Sequence, residues 1–370
     1  MIISVFDIKY MEIKEPCEEI IVKPKCQFLF IKLERFSRMV LPVLILMMAL
    51  TVTANLLGQE SEDEHGGTQR SLSEFQNRRQ LNGHTFIPSR GVDQPFIDGW
   101  LRGMTGGAFA SGLKVPILDL SRNHQRVADG KVTALLLDVE YQHRFKDWLA
   151  VRIGATGAAR AGTNQISVLA QGITAQYGFN LGATVKIFQS QKTALSAAGD
   201  LRFNNVYAYN VIRFVSNVVN YGLGEDNQLL EKGMTNTYVA GLRFAYAPNK
   251  WFGFVALGEG GIGTPFLKTQ DNSGVVAFAV SGECDLGAGT EIPLGFQVFL
   301  RWENFTDLYP EIADTILRTG LVIGYTGVAN FYAGIEIGYT SFSIRGDAVA
   351  VAEGSALNTL SVGMVMRHYF

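Results

Sequence analysis

The sequence predicts an all-β chain in which about twelve antiparallel strands run up and down and close into a barrel. Three features point there. From residue 99 onward, apolar and polar residues take turns with the period of a strand. Short connections (146–147, 189–192, 248–250, 289–293 and 327–330) alternate with long ones (near 118–130, 161–171, 211–234, 264–273, 307–315 and 346–356). The composition, with 40 Gly, 24 Phe and 13 Tyr against 18% charged residues, suits small inward side chains and aromatic strand ends. An even strand number is required, and ten or fourteen follow if the first strand is a plug or a long connection hides a pair.

Residues 101–117 alternate in part and form the first expected strand. In the second, Leu135, Leu137, Val139 and Tyr141 oppose Asp138, Glu140 and Gln142. Leu149, Val151 and Ile153 then oppose Arg152 and Arg160, and Tyr177, Phe179, Leu181 and Val185 oppose Gln176, Asn180 and Lys186. Leu201 and Phe203 oppose Asp200 and Arg202, and Tyr238, Leu242, Phe244 and Tyr246 oppose Arg243. The stretch 251–262 is ambiguous in register, because Val255 and Leu257 take the face that Phe252 and Phe254 do not. Val276, Phe278, Val280 and Leu286 oppose Glu283 and Asp285, and Phe296, Val298, Leu300 and Trp302 oppose Gln297, Arg301 and Glu303. Leu317, Leu321 and Ile323 oppose Arg318, and Ile335, Ile337 and Tyr339 oppose Glu336.

The last stretch, 360–370, sets Leu360, Val362, Met364, Met366, His368 and Phe370 on one face, with Ser361, Gly363, Val365, Arg367 and Tyr369 on the other. An alternating strand that stops on an aromatic resembles the C-terminal signature of bacterial outer-membrane β-barrels. The resemblance implies that Phe370 is read by the barrel-assembly machinery and that outer-membrane lipid surrounds the wall. It belongs to a whole class and identifies no solute. A soluble sandwich would also alternate, with its apolar faces in a core. Aromatics beside the short turns (Phe145, Trp148, Tyr246, Trp251, Tyr325 and Phe331) favour lipid outside instead.

Before the barrel, 39–54 is a mostly apolar, uncharged run preceded by Lys32, Arg35 and Arg38 and ending in Val52, Thr53 and Ala54. Residues 1–54 are therefore expected to be a targeting region cleaved near Ala54, the rival being a retained transmembrane anchor. Glu15, Glu18 and Glu19 are unusual in such a signal, so the first 38 residues are read as an over-called start. Residues 55–98 are expected to be a disordered periplasmic segment, polar and poor in groups to bury, with the barrel occupying 99–370.

If the polar face looks inward, the lumen is lined by Arg102, Lys114, Asp138, Glu140, Arg152, Arg160, Lys186, Asp200, Arg202, Arg243, Glu283, Asp285, Arg301, Glu303, Arg318, Glu336 and Arg367. Two readings stand side by side. Rings of charge could set the field for a passing solute, with a weak preference for anions. Alternatively, opposite charges pair across a narrow barrel and hold it together. The apolar connection 211–234 either folds inward as a lid or extends two strands beyond the membrane.

Other motifs carry little. Gly258, Gly260 and Gly263 spell a dinucleotide fingerprint without its strand–helix context. Arg345, Gly346 and Asp347 match an adhesion tripeptide and are better read as a turn, and Cys284 falls on the apolar face. No metal site or cofactor is expected, and with a net charge of -2 no nucleic acid is. The expected function is a narrow outer-membrane pore for small hydrophilic solutes. One alternative is an outer-membrane lipid hydrolase, for which His143, His368 and His124 beside Ser121 are the histidines to examine; the other is a closed barrel used as an anchor or surface-binding module.

Overall fold

The computed structural model describes residues 79–119, 124–163, 173–209, 230–264, 273–288, 290–304, 313–344 and 356–370, all inside the second of two compact units, 67–370. The targeting region 1–54, its cleavage site and residues 55–78 lie outside the described residues, as do most of the lid candidate, 210–229, and the tripeptide 345–347.

Twelve strands form the wall: β3 (Trp100–Asp119), β4 (His124–Lys146), β5 (Leu149–Gly162), β6 (Ile173–Gln189), β7 (Thr193–Tyr209), β8 (Leu230–Tyr246), β9 (Phe252–Gly263), β10 (Ser273–Asp285), β11 (Leu294–Glu303), β12 (Ala313–Val328), β13 (Phe331–Ile344) and β14 (Ala356–Tyr369). Each pairs antiparallel with its sequence neighbours, and β14 closes the ring on β3 from Asn358↔Ser111 to Tyr369↔Trp100. Closure pairs the backbone groups that an open sheet would leave at its two edges, which is what a strand needs where no water can serve it.

The period-2 pattern decides the facing. Phe278 is 58% exposed and Val298 59%, whereas Arg301 is 8% and Arg243 2% exposed. Apolar side chains therefore point away from the barrel and charged ones into it, the inverse of a soluble sandwich. Phe145, Trp148, Tyr246 and Tyr325 stand exposed on the outer face beside the short turns, forming an aromatic girdle at one rim. Cys284 is a free, half-buried thiol whose cross-strand partners, Phe252 and Phe296, lie on the outer face.

Two expectations change here. The connection expected at 118–130 is shorter, because β3 continues to Asp119 and β4 starts at His124, leaving only 120–123 between them. These two strands, with 20 and 23 residues, are far longer than the roughly 10 that cross a bilayer, so the wall rises beyond the membrane on that side. In β9 the ambiguity resolves: Phe252 and Phe254 face out, while Val255 and Leu257 are buried inside the barrel at 2% and 4% exposure.

Candidate functional site

What Val255 and Leu257 cover is the main correction to the sequence reading. Residues 79–98, the end of the segment expected to be mobile, lie packed within the turn end of the barrel. Leu81, His84, Phe86, Ile87, Ser89 and Val92 are all buried. The segment starts with a two-rung hairpin, β1 (Gln80–Leu81) with β2 (His84–Thr85), turning through Asn82 and Gly83, both at positive φ. This hairpin rests on the short turns: Asn82 N–H donates to Gln191 O at 2.6 Å and its side-chain amide to Pro248 O at 2.7 Å.

Beyond the hairpin the chain dips inward and is gripped by polar wall groups. Ile87 N–H donates to Glu283 Oε2 (2.7 Å) and Arg90 N–H to Glu336 Oε2 (2.9 Å). Gln297 donates to Ile87 O and Arg102 to Ser89 O. On the way out, Gln142 donates to Asp98 O at 2.8 Å. Buried backbone groups need such partners, and here strands β3, β4, β10, β11 and β13 supply them in place of water.

Apolar contact completes the fit. Leu81, Phe86, Ile87, Val92 and Phe96 share one cluster with Trp100, Val255, Leu257, Phe299, Val322, Tyr332 and Tyr369 of the wall. Two wall glycines make room: a Cβ on Gly253 would strike His84, and one on Gly295 would come within 2.6 Å of Ile87. In return, Gly91 lets the ring of Phe299 lie against the segment backbone, where a methyl group would collide with it. Burying each large apolar side chain contributes on the order of 1.5–3 kcal/mol before ordering costs.

Deeper in the lumen, opposite charges meet. Arg102 reaches Asp138 at 3.2 Å and Glu140 at 2.7 Å. Arg152 reaches Asp200 at 2.6 Å and Asp93 at 3.1 Å, and Arg243 contacts the same two carboxylates at 3.0 Å each. Burial alone would raise the pKa of Asp93, but the guanidinium groups of Arg152 and Arg243 outweigh it and hold the carboxyl well below the ordinary range. Arg202 and Arg301 converge on Glu259 at 3.3 Å, and Arg301 also holds Glu303 at 2.9 Å. Arg367 lies over the Trp100 ring at 4.2 Å.

Of the residues expected to line the lumen, Arg102, Asp138, Glu140, Arg152, Asp200, Arg243, Glu283, Asp285, Arg301, Glu336 and Arg367 are buried. Arg160, Lys186, Arg202, Glu303 and Arg318 are half-buried, and the side chain of Lys114, on β3, is outside the described set. Glu283 and Glu336 bind the inserted segment, while Asp285 accepts from Thr326 and the Gly287 N–H near the turn rim. Sequence reasoning missed Asp93 and Glu259. The inward run of Gly253, Val255, Leu257 and Glu259 was the available signal, since a water-filled wall has no use for buried valine and leucine.

The carboxylate oxygens of Asp93, Asp200 and Glu259 lie within 4.8 Å of one another. Each also holds an arginine, so the trio is the acidic half of a charge network, with its negative charge already balanced. His143 touches Tyr141 and Phe145, His368 packs on Phe370, and His84 Nε2 lies 3.8 Å from Glu283. Among the described residues no histidine is hydrogen-bonded to a serine; the His124 side chain and Ser121 are outside them.

Among the described residues, two sizeable cavities border the inserted segment. One, of about 220 Å³, is walled mainly by charged and amide groups, among them Arg90, Arg202, Arg301, Arg318, Glu259 and Glu303. The other, of about 110 Å³, shares Arg90 and Arg318 but is otherwise mostly apolar.

No family model and no curated protein matches the chain. Solved structures similar to it include an outer membrane channel from Pseudomonas putida F1 (14% identity, 77% of this chain and 100% of that one, TM-score 0.47). Others are the transport unit of the autotransporter AIDA-I from Escherichia coli (12%, 81% and 97%, 0.43) and the NanC porin (10%, 73% and 99%, 0.40). At such identities the likeness is one of fold alone. The closed antiparallel wall with its apolar outside makes this a barrel of the bacterial outer-membrane type.

Proposed function

We propose that the barrel is a narrow pore for small hydrophilic solutes whose turn end is closed at rest by residues 79–98. The observation that carries this is the 220 Å³ cavity inside the barrel, bordered by charged side chains of the wall and by Arg90 and Asp93 of the segment. Barrels of about eight strands are filled by side chains and those of about sixteen enclose a channel; this wall of twelve lies between, and space is left inside it. The expected lumen set, Arg102 to Arg367, then acts in two ways: its paired members brace the wall, and those facing the cavity set a modest positive field. Six arginines (Arg90, Arg102, Arg152, Arg202, Arg301 and Arg318) against four carboxylates (Asp93, Glu140, Glu259 and Glu303) border that space, which favours anions weakly.

Passage requires the segment to move aside. Planar-bilayer recordings test this directly: the full-length protein should give small, infrequent steps, and a variant lacking residues 79–97 should give larger and sustained ones. A folded deletion variant that stays silent would favour the second reading, a closed barrel serving as anchor or binding module. That reading draws on the polar and apolar grip on the segment. Lipid hydrolysis by the purified protein, abolished by His124→Ala, would displace both.

A further inference from the structure

The segment presents Arg90 near its innermost turn, where this residue borders both cavities, and Arg318 of β12 does the same from the wall. On one side of this pair lies the charged space. On the other lies a pocket bordered mainly by apolar side chains, among them Met104, Ala134, Leu136 and Phe342, with Arg160 and Glu336 also on its wall. We propose that this junction is a binding site for a small organic carboxylate with an apolar body about the size of one ring, seated against the segment that closes the pore. The inference rests on the pore reading and names the substrate class of the same lumen.

The chemistry follows from what each group has left to offer. Arg90 uses its backbone N–H on Glu336, so its guanidinium is a separate resource at the cavity wall. Arg318 approaches Glu303 at 3.9 Å, which is beyond hydrogen-bond length. Two planar guanidinium groups bordering one space suit a carboxylate, which each can take in a forked, charge-assisted contact. The neighbouring pocket selects what the carboxylate is attached to. An apolar cavity of about 150 Å³ can accept a benzene ring, and this one, at about 110 Å³ and open towards the arginines, suits a ring or a short branched chain. A bare inorganic anion would leave the pocket unused. A neutral ring would leave the Arg90 guanidinium and the loosely held Arg318, 3.9 Å from Glu303, without a bound anion.

Calorimetry on the full-length protein in detergent micelles tests the site, with benzoate, acetate and inorganic phosphate as probes. Benzoate should bind roughly tenfold or more tightly than acetate or phosphate, because burial of its ring adds to a shared anionic contact. Arg318→Gln should weaken benzoate and acetate together. Ala134→Trp, which fills the pocket, should reduce benzoate to the level of acetate. Heat-modifiable mobility in electrophoresis verifies that each variant is folded, and Arg318→Lys, keeping the charge without the fork, should fall between wild type and Arg318→Gln. Equal affinity for benzoate and acetate, phosphate binding as tight as benzoate, or benzoate binding untouched by both substitutions would each overturn the assignment. Failure here with bilayer steps intact would remove the ligand class and leave the pore. Binding with silent bilayers would keep the site and remove the pore.

Discussion

The two halves of the lumen are built from different materials. At the turn end the wall turns valine, leucine, phenylalanine and tyrosine inward, and a strap of twenty residues fills the space they enclose. Towards the long connections it turns arginine and carboxylate inward around the larger cavity, and apolar groups of β3 and β4 around a smaller one. The same β-strand period thus serves a dry interior and a wet one within a single wall. A broad apolar inner surface is stabilised by a segment that covers it, whereas a charged one needs only counter-charge and water.

Substitutions at the joint between the halves should separate them. Asp200→Ala should have the largest effect, because it strips a carboxylate from between Arg152 and Arg243 and leaves both to Asp93. Breaking such a buried set costs about 3–5 kcal/mol, visible as a fall in the urea midpoint of the whole barrel; an unchanged midpoint would mean that the charges are hydrated individually. Phe86→Ala should follow at about 3 kcal/mol, the low end for a buried phenylalanine because the rim can admit water. This loss should fall on the strap alone, exposing 79–98 to protease while the barrel keeps its folded mobility. Glu283→Ala orphans the Ile87 N–H and takes one of its acceptors from the Gln297 amide, costing about 1–3 kcal/mol and raising hydrogen exchange at Ile87 without disturbing Asp93.

Acid should act on the charged half by a fourth route. The carboxyl of Asp93 is depressed in the folded state, so its contribution is fully present above the ordinary aspartate value of about 3.9 and is lost only as pH falls through the lowered one. Protease protection of 79–98 should hold steady through mildly acidic buffers and fail only in strong acid; loss near neutrality would point to a different latch. Last, Asp147→Asn, at an 87% exposed side chain paired with Arg144 on a turn, should leave both halves unchanged in the same urea and protease assays.

The wall was legible from the sequence because a two-residue period survives in any short stretch: Leu294 to Glu303 displays it without reference to the rest of the chain. Strand number and the outward face of Phe278 or Val298 follow from that period and from turn spacing. The strap was not legible. Phe86, Ile87, Val92, Phe96 and Ile97 are separated by prolines, glycines and charged residues, and they show neither the strand period nor the helical one. Room for Phe86 and Ile87 depends on glycines at 253 and 295, more than 150 residues away in the chain, a complementarity that no local window contains. The charge partners were equally hidden, because the register that sets Arg202 and Arg301 on Glu259 depends on β9, where Val255 and Leu257 make the inward face as apolar as the outward one up to Glu259.

Arg79 lies over the Tyr369 ring at 3.9 Å, and at the other end Phe370 N–H bonds Gly99 O. The strap therefore enters and leaves by the same mouth. Within 79–98 the chain forms a re-entrant bight, which on the pore reading can be withdrawn like a finger from a ring without opening a seam between strands. Biogenesis gains the same freedom, since the hoop can be joined at β14 and β3 first and stoppered afterwards.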